Sequence, residues 1–404
     1  MFPRFALLAL AAAQGALLLA GLIAPPPVFG HAIGEVFTLP VPLALYLAGA
    51  GVAVAASFVI STFAVKPAAG VPGYPTWPVA ESMARPISLA LRVIGLVWWL
   101  AAIVGGYVAD PISPLPAVLF WIGIWIGVPL TAALLGNSWP SLSPFRTLAG
   151  LIEGVARLAG LRRADMGVPY PTGLGRWPAV GLLFVALWCE LVLPGSAEPI
   201  TVGNLLLGYS VLTVAGMLVF GHVAWLRNAE LFEVLAAWFG RIGPVGRRVV
   251  DQAVCDGCIE ACDPARCVDC PECSTAAEPG ERLAELRPWF LGLTEVRNAD
   301  PSDVAFIVLA LAGVTFDGLK ETIVWGSVAN ALFPLVLDAV GTLNSLLLIQ
   351  TIGLLGTWLL FLAAFWLAAA LTRAVHDAAR QPPPLSELAG TYATTLLPIA
   401  AGYL

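Results

Sequence analysis

The sequence predicts an all-α, polytopic helical membrane protein with eight or nine transmembrane spans and a Cys-rich cytoplasmic loop. Three observations carry that expectation. The 404 residues are 59% hydrophobic and 11% charged, where a soluble chain is about a quarter charged. Apolar runs close to the ~20 residues that cross ~30 Å of hydrocarbon recur along the chain. Basic residues gather on one side of those runs. Helices satisfy their own backbone in hydrocarbon, and the alternating pattern of a membrane barrel is absent.

Residues 1–30 read as a signal sequence or a first transmembrane anchor. Arg4 precedes an apolar run to about Ala24, and Val28, Phe29 and Gly30 offer a cleavage point before His31. Cleavage would pair the new α-amine with the His31 imidazole as two metal ligands; without it, His31 is a loop residue. The transmembrane region 31–225 has expected spans at 41–64, 87–108, 115–136, 178–194 and 203–225, with an amphipathic cytoplasmic loop at 137–177. A cytoplasmic Cys-rich metal-binding loop, 226–302, comes next. The C-terminal transmembrane region, 303–404, has expected spans at 303–319, 345–372 and 387–404. Residues 322–341, broken by Gly326, Asn330 and Pro334, read as a re-entrant or surface helix.

Orientation follows from the positive-inside bias. With the N-terminus inside, all of the 20 Lys and Arg except Lys320 fall on the cytoplasmic side. That places the protein in the cell inner (plasma) membrane as a multi-pass protein, with the lipid bilayer as its first partner. The basic residues are dispersed, so nucleic acid is not an expected partner. In the second cytoplasmic loop, Gly136-Asn137 suits a helix end, and Ser143-Pro144 suits a helix start. The segment from Ser143 to Gly160 has the spacing of a helix lying on the inner membrane surface. Residues 228–242 are expected to repeat that pattern.

The loop holds six of the chain's 7 cysteines, Cys255, Cys258, Cys262, Cys267, Cys270 and Cys273. Cys-x-x-Cys units recur because a two-residue turn lets both thiolates reach one metal ion. A reducing compartment favours metal over disulfides. The spacing matches neither the two-cluster ferredoxin run nor a zinc ribbon. A two-zinc cluster and a single four-cysteine site, with zinc or an iron–sulfur cluster, both remain open. Cys189 reads as a packing residue.

A second candidate group is Asp317, Lys320 and Glu321, at i, i+3 and i+4 at the outer end of the seventh span. Charges there mark a substrate, proton or metal site, which these residues would serve catalytically with His31 nearby, or else an ion pair capping the span. Glu190 reads either as facing the same outer cavity or as an interfacial glutamate. His222 and His376 read as interfacial.

Three passages add a likeness: HAIGEVFTLPVPLALYLAGAG at 31–51, GNSWPSLSPFRTL at 136–148 and FDGLKETIVW at 316–325. Together they resemble a family of bacterial and archaeal polytopic membrane proteins known as fenitrothion hydrolase or its membrane subunit. The resemblance spans most of the chain. It implies hydrolysis of an aryl phosphorothioate triester, a metal that generates hydroxide, and a second membrane subunit. The leading expectation is therefore a membrane component of a metal-dependent organophosphate hydrolase. The alternative is a non-hydrolytic transporter or redox protein with a cytoplasmic zinc or iron–sulfur site.

Overall fold

The structure, a computed structural model, describes residues 74–79, 81–250, 254, 269–278, 280–294, 299–375 and 383–402. The first anchor, the span expected at 41–64, His31, His376, and Cys255, Cys258, Cys262 and Cys267 lie outside the described residues. Within them, six helices are long and apolar enough to cross a membrane: Pro86–Val108, Leu115–Leu135, Thr172–Leu191, Pro199–Phe220, Pro301–Lys320 and Thr342–Ala374. They match six of the expected spans.

The elements begin with β1 (Thr76–Pro78), α1 (Glu81–Val108), and α2 (Leu115–Leu135), which is π-helical over Val118–Ile126. Pro129 follows that stretch and has no N–H for the carbonyl four residues back, which favours a wider turn there. Next come α3 (Pro144–Leu158), α4 (Trp177–Leu191) and α5 (Pro199–Phe220). Gly106 of α1 and Gly203 of α5 let these helices cross closely, for a Cβ on Gly106 would meet the Cα of Gly203 at 2.6 Å.

The chain then departs from the expected plan. The span expected to run to 225 stops at Phe220, where Gly221 turns at φ +82°. Two short helices follow, α6 (His222–Asn228) and α7 (Leu231–Gly240). At about 1.5 Å per residue neither reaches across a bilayer. The α6 helix folds back along α5: Phe220 stacks on Trp225 at 5.8 Å, and Trp225 packs over Gly216. The hairpin tip at Glu230 reaches Tyr209, midway along α5. The α7 helix then returns to the end of α2, where Gly240 lies against Asn137. Residues 228–242 were expected on the surface, but α7 is buried all round. The reason lies on its polar side, where Glu230 and Glu233 find partners inside the protein rather than water.

Beyond α7, β2 (Val245–Val249), α8 (Pro271–Ala276) and β3 (Arg282–Leu286) form a small unit with β1. The sheet order is β1-β3-β2, both pairings antiparallel, with Val249 opposite Arg282 and Thr76 opposite Glu285. This sheet is the one β feature in the otherwise helical described region. Five-residue strands joined across the cysteine loop were not visible in the hydropathy.

The remaining elements are α9 (Pro301–Lys320), α10 (Ile323–Val340, containing Pro334), α11 (Thr342–Val375), α12 (Leu385–Ala393) and α13 (Leu397–Gly402). The last expected span, 387–404, is divided between α12 and α13 by a 3-10 turn at Thr394–Leu396. Thr394 and Thr395 donate their hydroxyls to the carbonyls of Thr391 and Tyr392, which tightens the helix at that point. The α9 helix opens with a capping box between Asp300 and Asp303. Arg176, just before α4, donates its N–H to Ser302 at 2.7 Å and pairs with Asp303 at 2.5 Å. These contacts put the starts of α4 and α9 at the same end of the bundle.

Candidate functional site

Phe232, the second residue of α7, sits among Trp99, Phe120, Trp125, Trp139 and Tyr209, with ring centroids 5.4–6.5 Å away. Aromatic rings favour such edge-on and tilted packing. Into this apolar centre the chain sets two carboxylates. Glu230 is the N-cap of α7 and accepts from the N–H groups of Phe232 and Glu233 at 3.2 and 2.6 Å. It also accepts from the Tyr209 hydroxyl and, at 3.3 Å, from the Trp139 indole. Each of these donors offsets part of the cost of burying an anion. A cavity of about 280 Å³ opens beside Tyr209, the partner of Glu230, and is lined in part by Trp99, Phe120, Cys189, Tyr209 and Phe232.

Glu233 lies further along α7 and receives both arms of Arg146, at 2.5 and 3.1 Å. Arg146 belongs to the first turn of α3. Ser143 accepts from its N–H and Pro144 occupies the first helical position, as expected from the sequence. The same guanidinium reaches Glu272 of α8 at 2.8 Å. Burial pulls the Arg146 pKa down, and the charges and hydrogen bonds of Glu233 and Glu272 more than reverse this, leaving it above the ordinary arginine value. One cation thus joins the hairpin inside the bundle to the cysteine-bearing unit.

A second tie runs through Arg247 of β2, which donates to the backbone carbonyl of Asn137 at 2.9 Å. Burial lowers its pKa, and Asp269 opposes that shift. Asp269 itself, at φ +60°, accepts from the Arg247 N–H and pairs with Arg287. The turn that meets this unit needs glycine. Gly136 sits at φ +127°, and a Cβ there would collide with the carbonyl oxygen of Val245. Gly136→Ala is expected to lower stability by about 2–3 kcal/mol, measured as a lower unfolding midpoint in detergent.

Cys270 and Cys273 are both buried. Cys270 caps α8 by accepting from the Cys273 N–H at 3.4 Å, and its thiol lies 3.7 Å from Glu272. Val249 and Ala277 pack around the pair. Two buried thiols on one rigid turn fit half of a four-thiolate site, and the other candidate sulfurs are outside the described residues. Among the described residues no group of three or more His, Cys, Asp and Glu could hold a metal ion.

At the opposite end of the bundle, Asp317 and Lys320 form an i,i+3 ion pair at 3.1 Å. Lys320 is largely covered, with 14% of its side chain exposed, and Asp317 is open at 44%. Glu321 is the C-cap residue of α9 and is exposed. Glu190, near the end of α4, lies close enough to the Trp125 indole, Asp317 and Lys320 to be influenced by all three. The structure therefore gathers Glu190, Asp317 and Lys320. His222 pairs with Glu153 at 3.2 Å on the other end, and Cys189 is buried as a packing residue beside the cavity.

Sequence reasoning missed Glu230, Glu233, Arg146 and Tyr209. The signal was available: two acids three residues apart, at the start of an otherwise apolar ten-residue helix. Neither a family model, nor a curated protein, nor a solved structure matches this chain.

Proposed function

We propose that the chain is a multi-pass protein of the inner (plasma) membrane, a transporter or redox protein and not itself a hydrolase. In this reading its cytoplasmic Cys-rich loop holds zinc or an iron–sulfur cluster. The observation that carries it is Arg146, which binds Glu233 of the hairpin and Glu272 next to the Cys270–Cys273 pair. Ionisable groups set inside a membrane bundle mark ion, proton or substrate pathways. Glu230 and Tyr209 supply a proton-bearing pair beside the cavity, and Glu233 and Arg146 continue the polar line toward the loop. Cys270 and Cys273 would hold the metal together with partners from Cys255, Cys258, Cys262 and Cys267. A bound cluster would supply electrons, whereas zinc would supply a closed structural centre.

The test is the metal and acid-labile sulfide content of the purified full chain, with its visible spectrum. Bound metal in wild type and a loss of at least half of it in Cys270→Ser with Cys273→Ser are expected. Iron with matching sulfide selects the electron carrier, and zinc in a colourless protein selects the transporter. Metal-free protein from cells grown with both metals would sink the reading.

A second reading, an organophosphate hydrolase component working with a second membrane subunit, is favoured by the Glu190, Asp317 and Lys320 group. Membranes carrying the chain and its neighbouring gene products would then release nitrophenol from an aryl phosphorothioate triester in a metal-dependent way. Asp317→Asn would abolish that release. Absence of release from the wild-type membranes would remove this reading.

A further inference from the structure

We infer that the groove between α3 and the end of α5 is a binding seat for the headgroup of an anionic phospholipid. One face of α3 packs on the bundle through Phe145, Ala149 and Ala156. The adjacent stripe, Leu151, Val155 and Leu158 at i, i+4 and i+7, is 56%, 66% and 91% exposed. Such a stripe beside a packed face is what a helix lying in the membrane interface presents to acyl chains. Immediately next to it is a cavity of about 270 Å³, into which Arg157, Arg162, Arg163 and His222 converge.

The walls of this seat are built. Gly160, at φ +73°, ends α3 and turns the chain, with the Leu161 N–H bonded to the carbonyl of Ala156. The following loop is fastened to the end of α5 by bonds from the N–H groups of Met166 and Val168 to the carbonyls of Leu218 and Val219. Leu161 and Met166, both exposed, extend the apolar rim past the arginines.

The charge balance selects an anion. Glu153 pairs with Arg157 at 3.6 Å and with His222 at 3.2 Å, while Asp165 pairs with Arg163 at 3.3 Å. Arg162 has no ion pair among the described residues, so the three arginines outweigh the two acids. The existing pairs are exposed, and exposed pairs hold weakly, so a phosphate can share these donors without breaking anything costly. Apolar side chains on one side of the arginines and an open basic cavity on the other match the two halves of a phospholipid. A free phosphate would use only the second half. This site lies apart from the Glu230 and cysteine groups and does not depend on what they do.

The purified full chain in a neutral detergent would be titrated with dioctanoyl phosphatidylglycerol, dioctanoyl phosphatidylcholine and inorganic phosphate. Saturable binding of the phosphatidylglycerol is expected, with the other two much weaker. Arg157→Gln combined with Arg162→Gln should weaken that binding about thirty-fold, the effect of two arginines at a membrane surface. Glu153→Gln should tighten it. An unchanged unfolding midpoint in lipid-free detergent shows that each variant is folded. Equal binding of both lipids, unaltered affinity in the folded double-arginine variant, or inorganic phosphate binding as tightly as the phosphatidylglycerol would each overturn the assignment.

Discussion

Arg146→Ala is expected to destabilise the protein by about 3–5 kcal/mol, the usual result of stripping one partner from a buried ion pair. It is also expected to make Cys270 and Cys273 react with a maleimide in the folded protein. Both effects follow from the same geometry. Glu233 is 5% exposed and would lose the guanidinium that offsets its burial, while α8 would lose its link to the bundle through Glu272. Glu272 is 17% exposed, so Glu272→Gln should cost far less but still speed the labelling. Replacing Arg146 and Glu233 together with methionine should recover most of the stability, because no charge is left buried. The labelling should remain fast in that pair, since α8 is still untied. Unchanged labelling in all of these variants would show that the cysteine unit is held by other contacts, Arg247 on Asn137 first among them.

Glu230→Ala comes next in size, at about 3 kcal/mol or more. The loss combines a helix N-cap, typically ~1 kcal/mol, with buried donors on Tyr209 and Trp139 left without an acceptor, about 1–3 kcal/mol each. Glu230→Gln keeps one carbonyl oxygen and should cost less than half as much in a denaturation midpoint. The pair of variants also separates stability from function. If Glu230 carries a proton, the glutamine variant stays folded and loses the transport or redox activity. Equal activity in Glu230→Gln and wild type would reduce Glu230 to a cap.

Much of this fold is legible because hydrophobic length is a strong signal. Pro86–Val108 and Thr342–Ala374 stand out as membrane-crossing lengths without any knowledge of contacts. The start of α3 is equally plain, since Ser143 and Pro144 act locally. The hairpin is not legible in the same way. Residues 228–242 have the spacing of a surface helix, and only the contacts of Glu230 with Tyr209 and Trp139 show that the chain turns back into the bundle. Likewise Arg146 looks like one more cytoplasmic arginine on an amphipathic helix. Its pairing with Glu233 spans 87 residues and with Glu272 spans 126, which no local pattern encodes. Asp317 and Lys320 were readable because their spacing alone brings them together, whereas Glu190 joins them from another helix.

The folded-back hairpin also fixes the parity of the chain. Because α6 enters and α7 leaves at the same end, residues 222–240 add nothing to the count of crossings. A reporter fused after Phe220 and another fused after Gly243 should therefore report the same compartment. The same feature imposes an order on biogenesis. A segment too short to cross has no stable position in lipid alone, so it must wait for α2, α4 and α5 to assemble the pocket that receives it. Chains lacking α2 should then leave the hairpin accessible to protease.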